Sequence, residues 1–150
     1  MPTSATDPQT DLASQIRMKA ELAVAQFQQQ TKKRLDYSEK SLSAVDEILE
    51  EVSGYKAQMS KTNIDTIVEI MSAYILDVAY RQYGGVFQWH AQSEQSVLVI
   101  GEPQFQVAIM AFDKVRGRLS GDRSDDIPFF FQGFAERVKS AMPGTNALYV

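Results

Sequence analysis

Between Ile64 and Tyr83 the apolar residues Ile64, Ile67, Val68, Met71, Ile75 and Val78 recur at three- and four-residue steps, which lays them along one face of a helix. Thr62 or Asn63 supplies a first-turn cap, and the paired Gly84 and Gly85 mark the stop. Behind the glycines, Val86 to Ala91 and Ser96 to Ile100 read as two strands. The polar Gln92 to Gln95 joins them as a hairpin loop.

Upstream, Leu12, Ile16, Ala20, Ala23 and Phe27 form a stripe that predicts a helix over about 9–33. Leu42, Val45, Leu49 and Val52 predict a second helix from Asp36 or Ser38 to about Met59, with Gly54 as a weak point inside it. Downstream, Glu102 and Pro103 break the second strand. Residues 104–110 fit both periods, and the expectation is a short strand over 104–107 followed by a helix over 108–119. A last helix, Ile127 to Ala141, is capped by Asp125 or Asp126 and carries Pro128 in its first turn. Its phenylalanines Phe129, Phe130, Phe131 and Phe134 cannot share one narrow stripe, so at least one is expected to reach outward.

The predicted fold class is therefore α+β: three N-terminal helices, a small antiparallel sheet, and two C-terminal helices. The 150 residues suit one domain over 9–142. Residues 1–8 read as a flexible tail, and 143–150 as a C-terminal tail that ends frayed or as a small added strand.

Composition narrows the chemistry. The chain has no cysteine, which removes a thiolate nucleophile and cysteine-ligated metals. Its one histidine, His90, rules out a histidine pair for zinc, and no phosphate loop or nucleophile elbow is present. No catalytic residue, cofactor or metal ligand is assigned. The net charge of −4 argues against nucleic acid, because binding phosphates releases counterions through lysine and arginine. No apolar stretch is long enough to span a membrane. The N-terminus lacks a basic segment followed by an apolar run, so a cytoplasmic location is expected, or a periplasmic one if a signal has been removed.

The acidity is local. Asp36 to Asp77 holds nine acids against three bases. Asp46, Glu47, Glu50 and Glu51 line one helix face, which reads as a solvated surface or as a docking face for a basic protein. Lys114, Arg116 and Arg118 give the helix over 108–119 a basic face.

The stretch from Ser72 to Trp89 resembles uncharacterised small bacterial proteins in which an Ala-Tyr-containing helix ends in Tyr-Gly-Gly and a tryptophan-bearing strand follows. Those proteins carry Leu-Gly-Glu-Val where this chain has Ile75-Leu76-Asp77-Val78. The resemblance implies a bacterial source and transfers no functional residue.

Three functions follow as expectations. The first is a non-enzymatic protein-binding domain, in its sharpest form an immunity protein that neutralises a basic toxin through Asp46, Glu47, Glu50 and Glu51. The second is a small-ligand-binding or enzymatic domain with a pocket at Tyr83, Trp89 and His90. The third is a homo-oligomeric module, a homodimer for example, that buries surplus phenylalanine.

Overall fold

In the computed structural model, which describes residues 8–30 and 34–150 with side chains from Asp11 onward, the central helix α3 runs Lys61–Tyr83. It is buried all round from Ile70 to Ala79 rather than along one face. Helix α1 (Pro8–Phe27) packs along it through Ile16, Ala20, Ala23 and Phe27. The small alanines of that stripe let the two helices approach closely. Ser60 starts α3, accepting the Asn63 N–H at 3.1 Å, in place of the expected Thr62 or Asn63. Gly84, at φ 72°, ends it.

Two helices are shorter than their stripes suggest. After α1 the chain tightens into a single 3₁₀ turn at Gln28–Gln30, and the expected extension to Lys33 lies outside the described residues. Helix α2 is Leu42–Ser53, entered by a 3₁₀ turn capped by Ser38 and closed at Gly54. The expected start at Asp36 is replaced by a latch. The Tyr74 hydroxyl accepts the Tyr37 N–H at 2.8 Å and meets Ser41 Oγ at 2.6 Å. The Tyr37 ring stacks on Tyr74 and lies 3.7 Å beneath the Arg81 guanidinium.

The fold is α+β, as the pattern predicts, but its sheet is larger and mixed. Strands β1 (Val86–His90) and β2 (Gln95–Ile100) form the hairpin. Strand β3 (Gln106–Ile109) pairs antiparallel with β2, two residues later than expected. The reason is the turn before it, where the Gln104 and Phe105 N–H groups both donate to Gly101 O. Helix α4 is Phe112–Leu119 and α5 is Ile127–Ser140, capped by Asp126 at 2.8 Å. Within residues 143–150, Asn146–Tyr149 forms β4, which lies parallel to β3 and completes the order β1-β2-β3-β4.

The helices cover one side of this sheet. Phe87, Leu98, Ile100, Val107 and Ile109 point into the main core. The register carries Val86, Val99, Ala108 and Leu148 in one row across the other side, with Val86 44% and Leu148 54% exposed. Among the α5 phenylalanines, Phe130, Phe131 and Phe134 are buried and Phe129 is 75% exposed.

Candidate functional site

The four carboxylates expected to dock a partner are divided by the structure. Arg118, buried on α4, donates from Nε to Asp46 Oδ1 at 2.9 Å and from Nη2 to Asp46 Oδ2 at 3.2 Å. It also pairs with Glu50 at 3.3 Å, and Glu50 reaches Arg123 at 3.1 Å. The Ile127 N–H, at the first turn of α5, donates to the same Asp46 Oδ1 at 3.1 Å. Hydrogen bonding to Asp46 raises the Arg118 pKa, so this guanidinium is held charged. Asp46 and Glu50 therefore join α2 to α4 and to the start of α5. Glu47 and Glu51 are exposed on α2.

The three residues of the expected pocket are also separated. The Tyr83 ring packs edge-on against Phe134. His90 and Trp89 are neighbours in β1, and strand alternation sends them to opposite sides of the sheet. His90 Nδ1 meets Ser93 Oγ at 2.6 Å and accepts the Ser93 N–H at 3.2 Å, which closes the hairpin turn. Ser93 Oγ in turn accepts from Gln95 Nε2 at 3.1 Å. This serine–histidine contact is thus part of a turn network, and no carboxylate hydrogen bond orients the ring among the described residues.

Trp89 does stand at a cleft. It is the only tryptophan, 57% exposed, on the helix-covered side of the sheet. Helix α3 supplies Asp65, Glu69, Ser72 and Leu76, one stripe at four-, three- and four-residue steps. Gln15, Ile16 and Lys19 of α1 form the opposite wall, and the hairpin adds Ser93, Glu94 and Gln95. Helix α4 closes the end with Phe112, Asp113 and Arg116. An outer bowl of about 480 Å³ and an inner recess of about 80 Å³ share Glu69, Trp89, Glu94, Gln95 and Phe112, which makes them one cleft with a narrow end.

Gln95, buried, accepts the Phe112 N–H at 3.2 Å and so caps α4, whose own cap residue Ala111 has no side chain to do it. Around the rim, carboxylates outnumber cations. Asp65 is drawn below its ordinary pKa by hydrogen bonds from Lys61 and Arg116. Glu69 lies 3.7 Å from Lys19, a loose exposed pair. Glu94 and Asp113 have no ion-pair partner among the described residues. The cleft is thus a negatively charged bowl with an aromatic wall.

A larger and more open depression, about 870 Å³, lies between residues 34–43 and the start of α5. Several of its polar groups are already satisfied: Asp36 accepts from the Ser38 N–H and hydroxyl, and Ser41 Oγ is shared between Ser38 O and Tyr74. It makes a weaker case than the Trp89 cleft.

Glu94 sits at φ 52°, a left-handed position that glycine fills at lower cost. Glu94→Gly is expected to stabilise the fold by about 0.5–1 kcal/mol, net of the added freedom of the unfolded chain, raising the melting midpoint by about 2 °C. Calorimetry checks this; a lower midpoint would mean that the Glu94 side chain supports the turn.

Compared with known proteins, the chain shows no significant match to a family model, to a curated protein or to a solved structure.

Proposed function

We propose that this chain is a non-enzymatic protein-binding domain that receives a basic segment of its partner in the Trp89 cleft. The observation that carries this reading is an exposed tryptophan walled by Glu69, Glu94, Asp65 and Asp113. An indole face attracts a cation through its quadrupole, by about 0.5–2 kcal/mol according to how far the pair is desolvated. Carboxylates around it add steering, and the low rim charge repels acidic competitors. An immunity protein bound to a basic toxin is the sharpest form of this reading. On α2, Glu47 and Glu51 extend the same charge to a second face, while Asp46 and Glu50 are engaged by Arg118.

Selection from a random displayed-peptide library tests the proposal. The wild-type domain is expected to enrich lysine- and arginine-containing sequences, and a Trp89→Ala, Glu94→Lys double variant to lose that enrichment while keeping its helical circular dichroism. Equal selection by both proteins, or no basic preference, would refute it.

A further inference from the structure

Strand β4 is the last in the sheet, and its outer edge is bare. The Gln106 N–H donates to Thr145 O at 2.8 Å and the Met110 N–H to Tyr149 O at 2.9 Å, so β4 turns its odd-numbered positions toward β3. By the alternation of a parallel ladder, Asn146, Leu148 and Val150 aim their N–H and C=O groups outward, where no strand pairs with them among the described residues. Edges of this kind are ordinarily blunted by lysine, proline or a bulge. Residues 145–150 contain neither a charged side chain nor a proline.

The edge is apolar at both ends. Helix α5 runs back along β4, so its first turn sets Phe129 beside Leu148, Tyr149 and Val150 in a depression of about 340 Å³. The chain leaving α5 puts Met142 at the other end, where Met142 O accepts the Thr145 N–H at 2.9 Å. Phe129, Leu148 and Val150 are exposed, and Met142 is 69% exposed. The charged groups bordering the depression are engaged within the chain: Lys114 pairs with Asp125 at 3.2 Å, and Asp126 accepts the Phe129 N–H at 2.8 Å.

We propose that this edge joins a second copy of the chain, β4 pairing antiparallel with β4 about a two-fold axis at Leu148. Three features select a copy of itself over a strand from elsewhere. Centring on Leu148 sets that residue opposite its own counterpart and Asn146 opposite Val150, so the outward N–H and C=O groups of all three positions are paired. The same register carries Phe129, at the Val150 end, onto Met142 of the partner subunit, at the Asn146 end, and symmetry repeats this sulfur–aromatic contact on the other side of the axis. Finally, the exposed parts of the four side chains and the strand edge come to roughly 500 Å² per copy, or about 1,000 Å² together, the lower end of what a specific interface buries. The joined sheet has β1 at each far end, and both Trp89 clefts stay open.

Sedimentation equilibrium is expected to show a monomer–dimer transition with a Kd on the order of 10 µM, as suits an interface of this size. Leu148→Lys, which sets like charges face to face at the axis, and Phe129→Lys are each expected to weaken the dimer at least about tenfold while leaving the circular dichroism of the dilute protein unchanged. Phe129→Lys combined with Met142→Glu in one chain is expected to recover the dimer, because each lysine then meets a glutamate across the seam. Trp89→Ala should dimerise as the wild type does. A wild-type monomer at millimolar concentration would overturn the proposal and leave the edge to a strand of a different protein. A dimer untouched by Leu148→Lys and Phe129→Lys would overturn it equally, by placing the contact on another surface. Failure of the double variant to recover would overturn the register that joins Phe129 to Met142. None of these results bears on basic-segment binding at Trp89, so the two readings stand or fall separately.

Discussion

Arg118→Ala is expected to lower the melting midpoint by about 10 °C, corresponding to about 3 kcal/mol for a domain of this size. Three elements depend on that guanidinium. Its side chain is 5% exposed and that of Asp46 18% exposed, so neither charge is well served by solvent once the other is gone. Among the described residues, removing Arg118 leaves Asp46 with the Ile127 N–H as its remaining partner and leaves Glu50 with Arg123. Breaking a buried pair by deleting one member typically costs about 3–5 kcal/mol, and the partial exposure of Asp46 places this case at the low end. Arg118→Lys keeps the charge but loses the two-pronged contact, so it should recover less than half of the loss. Replacing both partners, Arg118→Met with Asp46→Leu, should recover more than either single change because no charge is then stranded. A midpoint shift below about 2 °C for Arg118→Ala would show the network to be dispensable.

Gly85→Ala should be comparably damaging, by about 3 kcal/mol, from backbone strain added to overlap. Gly85 sits at φ 102°, and a Cβ built there falls 2.6 Å from Val99 O and 2.7 Å from Ile100 Cδ1. The first of these is backbone within the β1–β2 ladder, since Val86 is the partner of Val99, so relief requires β1 to move away from β2. Gly121→Ala carries the backbone strain alone: its φ of 92° is similarly left-handed, yet nothing lies within 4 Å of the added carbon. Urea melts of the two variants should differ by about 1–2 kcal/mol, with Gly85→Ala the less stable. Equal losses would show that the sheet yields freely at this point.

The helices and the hairpin were legible because each signal is local. Ile67 to Val78, the two glycines, and Val97 to Ile100 announce themselves within about twenty residues. Strand β4 was harder to place because its partner lies forty positions away, Gln106 opposite Asn146, and four residues carry little periodicity. The strand-or-helix ambiguity over 104–110 resolved into both, with the strand ending at Ile109 and the helix opening at Phe112. On α2, composition showed an acidic face, and on α4 a basic one. Their mutual neutralisation through Arg118 spans seventy-two positions and emerges only from packing. The complementary charges of Asp46, Glu50 and Arg118 were the available signal. Trp89 reads from the sequence as a pocket residue, but adjacency brings His90 with it, whereas the two-residue period of a strand turns the imidazole away.

The exposed ends of the row on the other side of the sheet have a bearing on how this chain can vary over evolutionary time. At Leu98 or Ile109, any smaller side chain leaves a hole that the helices cannot collapse to fill. At Val86 and Leu148, by contrast, threonine or lysine would cost the fold little, so neutral drift should dilute the aliphatic row. If descendants of this sequence kept valine and leucine there, something other than folding would be selecting them.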